Sequence, residues 1–396
     1  MYTLLGVDIA KDAFTIAHPD PDRQTLPIKH WPVVRLELKQ PEWWQRLNEL
    51  IAPGAIVVAE PTGWHYLQPL ATALKTWTPS AELWLIPHQA AAQIRQTQIA
   101  AQKTDALDAR ALALVAYLIQ QGSPPLHVRR YNHDLEEQVT VLRLYVNTRA
   151  RLVKQATRLL NQLDAFGHAL WPELNYRKTT WHSLIEQGII TPDQIKRFAA
   201  TLNPSNSNHA QRRWILALAD ALPDIEVPTA AVLSINRIHA QLRQVTSEQL
   251  EVENIIHAII HADPFLEVTR RWQTIPLHSN EDLAAFHVAT HGQAHALTDD
   301  QFKAAVGAFP QLEHSGKVNK SKHTKKGYRP AINALTLWAA RLLGPAAPDN
   351  ALRRYHEKKG NFPATKAKLA RLLSAVARNP AGYHFVPRQE EETHTR

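Results

Sequence analysis

Four acidic residues stand where carboxylates could act together on a phosphate: Asp8, Glu60, Asp105 and Asp108. Asp8 lies inside the apolar stretch LLGVDIAKDAFTIA, residues 4–17. There Leu4, Leu5, Val7, Ile9, Phe14 and Ile16 predict two short strands joined by a turn at Ala10 to Asp12. An unpaired charge buried in such a strand is costly, so Asp8 needs a partner, a metal ion or an open cleft beside it. Glu60 closes the apolar strand of AIVVAEPTGWHY and precedes a Pro-Thr-Gly turn, at the edge where an α/β sheet usually holds its site. Asp105 and Asp108, in AQKTDALDARALALVAYL, open a helix and share one of its faces. Taken singly, Glu60 is as well explained as a solvated strand end, and Asp105 as an N-cap favoured by the helix dipole.

Their order carries more than any one member. An acid in the first strand, one ending a later strand and a pair opening a helix is how ribonuclease-H-like folds gather carboxylates. Such a cluster repels itself by about 1–4 kcal/mol per close pair at surface-like screening. Divalent cations turn that repulsion into binding. Mg²⁺ takes carboxylate oxygens, and two ions about 4 Å apart can clamp the attacking and leaving oxygens of a phosphoryl transfer.

The elements that must position these acids follow from the hydropathy pattern. Residues 1–128 read as an α/β unit with strands at 4–9, 13–18, 31–36, 55–59 and 83–86, closed by Pro124 and Pro125. From Leu135 the period changes to heptads: Leu135, Val139, Leu142, Val146, Val153, Ala156, Leu160 and Leu163, broken at Arg149. A second run, Ile235, Ile238, Leu242, Val245, Val252, Ile256 and Ile259, is broken at Gln249. Two such helices predict an antiparallel coiled-coil arm over 129–263, with a helical insertion rich in Trp, Pro and Asn at 171–228. A mostly helical domain follows over 264–385, and residues 386–396 read as a disordered tail.

Composition bounds the chemistry. The chain has 396 residues, 44% of them hydrophobic, enough for two or three domains with their own cores. It has no cysteine, which excludes disulfides, a thiol nucleophile and Cys-ligated zinc. No apolar run approaches the roughly 18 residues of a membrane span, and no signal peptide opens the chain, so a cytoplasmic protein without membrane contact is expected. The net charge of +9 is uneven: residues 313–378 carry +12 and the remainder −3. A basic segment of that density commonly faces nucleic acid, while a solvated helix face is the plainer fate of any single lysine.

The segments GVDIAKDAF, VVAEPTGWHY and KTDALDARALA resemble the four-acid DEDD signature of insertion-sequence transposases related to the Piv DNA invertases, a family of bridge-RNA-guided recombinases. The resemblance implies a RuvC-like N-terminal domain, a coiled-coil arm and a C-terminal transposase domain with a serine nucleophile. It implies Mg²⁺, in one or two ions, on Asp8, Glu60, Asp105 and Asp108. DNA, a structured noncoding guide RNA and further copies of the chain would be its partners, with dimers pairing into tetramers so that the acids of one subunit can meet the serine of another.

GAFPQLEHSGKVNKSKHTKKGYRPAINALTLWAARLL resembles the family segment that holds this serine, and on that match Ser315 is the nucleophile. Lys317, Lys320, Lys322, Lys325, Lys326 and Arg329 follow it in a basic loop that would neutralise the developing phosphorane charge. Read without the resemblance, Ser315 is a turn residue before Gly316. The chain departs from the family after Ile275-Pro276. A Gly-Ile-Gly hairpin is usual there, and Leu277, His278 and Ser279 stand in its place.

Other readings compete. A metal-dependent hydrolytic nuclease or junction resolvase would use water and leave Ser315 incidental. A nucleic-acid-binding protein with a decayed site would lack catalysis. A sugar-kinase-like ATPase has a first phosphate turn similar to GVDIAKDAF, but also a later Gly-rich loop, and none is found among the 13 glycines. His287, His291 and His295 have the spacing of one helix face and a possible transition-metal site, with a polar helix face as the plainer reading. His65 is a candidate contact for the acid site, and Trp181 and Trp214 are candidate RNA contacts.

Overall fold

The computed structural model describes residues 1–19, 27–61, 64–125, 128–170, 184, 189, 192–201, 215, 228–308, 310–315, 318–323 and 327–383, with backbone alone over the two segments between 310 and 323. The chain divides into two units, Met1–Thr140 and Val141–Arg396.

The first unit is built on a six-stranded sheet in the order β3-β2-β1-β4-β5-β6. Its strands are β1 (Tyr2–Ile9), β2 (Ala13–Ala17), β3 (Val33–Glu37), β4 (Ile51–Ala59), β5 (Glu82–Leu85) and β6 (Arg129–Arg130). β1, β4 and β5 are parallel, while β2, β3 and β6 run antiparallel to their neighbours. The turn between β1 and β2 falls where the sequence places it, closed by Ala10 N donating to Ala13 O at 3.0 Å. The helices are α1 (Trp43–Leu50), α2 (Trp64–Trp77), α3 (His88–Gln98) and α4 (Asp105–Gln120).

Alternation along β1 assigns its two faces. Leu5, Val7 and Ile9 join Phe14, Ile16 and Leu36 in a core with Leu47 of α1 and Leu67, Leu70 and Leu74 of α2. Leu4, on the other face, packs with Val58, Ile86, Ala91 of α3, and Leu112, Val115 and Ala116 of α4. This mixed sheet with helices on both faces is consistent with a RuvC-like domain. All five expected strands shift in their limits, β6 is an addition to them, and two of the shifts have a local reason. β3 starts at Val33, because a 3-10 turn occupies Ile28–His30. β4 starts at Ile51, directly from the end of α1.

The long helices are α5 (His133–Leu170), whose first turns belong to the first unit, and α7 (Thr229–Ile260), with α6 (Pro192–Thr201) between them in sequence. α5 and α7 run antiparallel. Arg149 reaches Glu253 at 2.7 Å, while Gln162 and Phe166 line a cleft with Ser234 and Ile238. Leu152, Leu159, Leu163, Ile235, Leu242 and Val245 share one apolar cluster with Ile195 and Ala199 of α6. The seam runs through Leu152, and Val153, expected there, is exposed. The two polar breaks in the heptads have a common cause: Arg149 Nε and Gln249 Nε2 both donate to Glu253 Oε1, at 2.7 and 2.9 Å. Most of the insertion expected at 171–228 lies outside the described residues, including Trp181 and Trp214, as does the tail at 386–396.

After α7 come α8 (Leu266–Gln273), α9 (Asn280–Ala289), α10 (Asp299–Ala305), a hairpin of β7 (Pro310–Ser315) and β8 (Val318–His323), then α11 (Arg329–Leu343), α12 (Ala351–Lys359) and α13 (Phe362–Arg378). Trp272, Phe286, Phe302 and Trp338 are fully buried and form the core of this part. The indoles are pinned: Trp272 Nε1 donates to Leu373 O and Trp338 Nε1 to Pro276 O, each at 2.9 Å. His287, His291 and His295 do not share a helix face. α9 ends at Ala289, His291 turns the chain with φ 51°, and His295 belongs to a separate 3-10 turn. His287 is instead a core residue, with Nε2 2.8 Å from Thr269 Oγ1 and its ring 4.9 Å from Phe265 and Trp272.

Candidate active site

The acids converge because of how β1, β4 and α4 meet. β1 and β4 are parallel with Gly6 opposite Val58 and Val7 opposite Ala59, so the register carries Asp8 to the level of Glu60, past the last pair. Alternation puts Asp8 on the α4 face with Leu4 and Gly6. At Gly6 the helix comes down onto the strand: a Cβ there would lie 2.1 Å from Ala113 N and 2.2 Å from Ala109 O. Only a residue without a side chain admits this approach, and it brings the first turn of α4 to the end of β1 where Asp8 stands.

That turn is fixed locally. Thr104 caps α4, its Oγ1 accepting from Leu107 N at 3.2 Å. Arg95 of α3 donates to the carbonyls of Ala101 and Gln102, holding the loop that precedes the cap. Asp105 and Asp108 then occupy the first turn, where the helix dipole favours negative charge.

The electrostatics register the gathering. Asp8 is half-buried, and its pKa is pushed up to about 7 by desolvation first, then by the charges of Asp108, Asp105 and Glu60, with Lys103 opposing. A carboxyl that responds to three others lies within their common field.

Each of the other acids has a basic side chain beside it. Glu60, 5% exposed, meets His88 Nδ1 at 2.6 Å. Asp108 Oδ1 lies 2.5 Å from Arg95 Nε, both side chains being buried, although the Nε–H is not aligned for a hydrogen bond. Asp105 and Arg35, both exposed, are 3.4 Å apart. Among the described residues, no group of three or more His, Asp or Glu side chains is arranged to hold a metal ion. The donor set nevertheless has the composition that Mg²⁺ takes: hard oxygens, in mutual repulsion at Asp8, at the end of parallel strands.

Sequence reasoning missed these partners. His88 begins the helix after β5, the strand beside β4, and this placement was its available signal. The side chain of His65 lies outside the described residues.

In the second unit, Ser315 is the last residue of β7, opposite Val318 across the hairpin end. Residues 316–317 lie outside the described residues, as do Lys325 and Lys326, so Lys317 is not placed. Lys320 and Lys322 lie on β8 opposite Glu313 and Gln311, and Arg329 opens α11. The expected basic loop is thus largely a hairpin. Its base is close-packed: Gly327, at φ 124°, would bring a Cβ to 3.3 Å from Gly307 Cα. Tyr328 then donates from its hydroxyl to Asn147 Oδ1 of α5 at 2.9 Å, and burial holds its phenol above the usual range.

Past Ile275-Pro276, Leu277 adopts φ 60°, a left-handed conformation that glycine takes without cost. Ser279 and Asp282 form a capping box on α9, and Asp282 also pairs with Arg341.

Residues 5–172 match the DEDD_Tnp_IS110 family model, described as Transposase. The matched region, less than half of the chain, contains all four acids. No curated relative matches the chain. Among the described residues, no helix is long and apolar enough to cross a membrane.

Proposed function

We propose that this chain is a DNA transposase or recombinase of the DEDD type that exchanges strands through a covalent Ser315 phosphodiester. Asp8, Glu60, Asp105 and Asp108 would hold one or two Mg²⁺ ions, which supply Lewis-acid stabilisation of phosphate charge when bound. The observation that carries the reading is Asp8, whose pKa is lifted to about 7 by burial and by those same three acids.

The chain's own groups have definable tasks. The Ser315 hydroxyl attacks phosphorus, the scissile P–O bond breaks, and the displaced 3′ or 5′ oxygen leaves with a proton. The hydroxyl proton passes to a base at the site. Lys317, Lys320, Lys322, Lys325, Lys326 and Arg329 offset the charge that grows on the phosphoryl oxygens. Attack by the freed hydroxyl of another strand on the serine ester then restores Ser315 and joins the new strand, so no external energy source is needed. In this reading a structured noncoding RNA selects donor and target DNA by base pairing, with the protein holding shape and backbone. Antiparallel α5 and α7 would form a coiled-coil arm for assembly into dimers and tetramers.

The test is covalent trapping: purified protein, the noncoding RNA encoded beside its gene, labelled junction DNA and Mg²⁺, resolved on a denaturing gel. A protein-linked DNA band lost in both Ser315→Ala and Asp8→Ala is the expected result. Cleaved DNA with no linked band would replace this reading with the hydrolytic nuclease.

A further inference from the structure

Helices α12 and α13 carry eight Lys or Arg and a single acid, Glu357, between residues 351 and 378. They are joined by a tight turn, Gly360 at φ 60° followed by Asn361, whose Oδ1 accepts from Ala364 N to cap α13.

Seven of these cations fall into two groups, and the eighth, Lys366, has its ammonium 5.8 Å from the Phe362 ring centroid. Three arginines are engaged in the fold: Arg353 donates to Gly344 O, Arg354 pairs with Asp349 at 2.8 Å, and Arg378 pairs with Asp299 at 2.5 Å. Lys358, Lys359, Lys368 and Arg371 are exposed and make no ion pair with the described residues. Helical spacing and one ring contact relate these four. Tyr355, Lys358 and Lys359 are spaced i, i+3, i+4, which puts them on one face of α12. The Lys368 ammonium lies 6.0 Å from the Tyr355 ring centroid, and Arg371 is one turn further along α13 from Lys368. On the same pair of helices, His356 Nδ1 and Thr365 Oγ1 meet at 2.9 Å, fixing one helix against the other.

Charge repulsion among four unpaired cations is a standing cost that the fold could have relieved with acids. Asp349 and Asp299, the acids paired to this helix pair, form their ion pairs with the structural arginines, and Arg371 lies in the field of Asp299 without pairing to it. The group without ion pairs is three lysines, compact point charges, and one arginine, a planar fork, both suited to phosphate oxygens. No asparagine or glutamine stands free to read base edges, since Asn361 is consumed by its cap.

We propose that this face docks the phosphate backbone of duplex DNA, independently of sequence and separately from the Ser315 hairpin. The choice of DNA rests on the transposase reading, but the docking itself requires no strand cleavage.

The test uses full-length protein carrying Ser315→Ala, so that binding is read without chemistry. Fluorescence anisotropy with two unrelated labelled 30-bp duplexes is compared for this protein and for the same protein with Lys358→Ala, Lys359→Ala, Lys368→Ala and Arg371→Ala. The slope of log K against log salt should become shallower by about 3–4, and affinity should fall roughly tenfold or more, equally for both duplexes. The double variant Lys358→Ala/Lys359→Ala, which leaves the Tyr355 contact intact, should lose about half of that slope. An unchanged slope, a loss confined to one duplex, equal binding of polyglutamate, or a loss seen on RNA duplexes alone would each overturn the assignment. Failure of the trapping experiment with this slope change intact would instead remove the serine mechanism and leave the docking face standing.

Discussion

Gly6 of β1 and Ala113 of α4 are in backbone contact: a Cβ on Gly6 would lie 2.1 Å from the Ala113 nitrogen. Through this contact a strand and a helix far apart in sequence deliver Asp8 and the Asp105–Asp108 pair to one place. Gly6→Ala must push the backbones apart, since the atoms it meets are main chain and cannot rotate away. Urea unfolding should show a loss of about 3 kcal/mol or more. A variant as stable as the parent would mean that α4 does not cross β1 at this depth.

Asp8 carries a cost in the metal-free protein, its pKa being pushed up to about 7 by burial and by the other three acids. Asp8→Asn removes a charge from that field while keeping the shape. In EDTA at pH 8 it should unfold at a higher temperature than the parent, by an amount on the order of 1 kcal/mol after screening by solvent. Added Mg²⁺ should stabilise the parent and not the variant. A variant that melts with or below the parent in EDTA would show that the acids do not share a field.

Leu277 holds φ 60°, which costs an L-residue with a Cβ about 1–2 kcal/mol. Removing the side chain without relieving the backbone should therefore be worse than doing both. Denaturant melts should place Leu277→Gly above Leu277→Ala by about 1 kcal/mol, the reverse of their usual order in a helix. Equal stabilities would mean that the turn relaxes to negative φ in solution.

His287 is fully buried, and its pKa is lowered to about 3, by desolvation first and then by His295. Below the ordinary value of about 6.5 the unfolded chain takes up a proton that the folded chain refuses. The stabilisation is complete above that pH and is lost as pH falls toward 3, at about 1.4 kcal/mol per unit. Stability of the parent should fall by roughly 2 kcal/mol between pH 6.5 and 5 on this account. In His287→Gln the same interval should lose about one proton of pH dependence. An unchanged slope would place the ring in contact with water.

The acid site was legible in the sequence because its signals are local. Alternation along residues 4–9 declares a strand, a carboxylate at the end of AIVVA marks its C-terminal edge, and Thr104 before Asp105 is a helix start readable from residue type alone. Heptad spacing likewise announced α5 and α7, although the packed helices bury Leu152, Leu159 and Ile260 where the spacing put Val153, Leu160 and Ile259.

What the tertiary structure decided are the contacts between elements that sequence distance conceals. Glu60 meets His88 because β5 lies parallel beside β4 and starts the next helix at the same edge; nothing near residue 60 encodes it. The breaks at Arg149 and Gln249 become intelligible only when both are seen to satisfy Glu253 across the helix pair. The hairpin bearing Ser315 was hidden for a different reason. Its strands, PQLEHS and VNKSKH, lack an alternating apolar face, so the pairing rests on main-chain hydrogen bonds that every residue type can make. Hydropathy specifies which faces are buried, and it is silent where backbone pairing or a neighbouring element supplies the order.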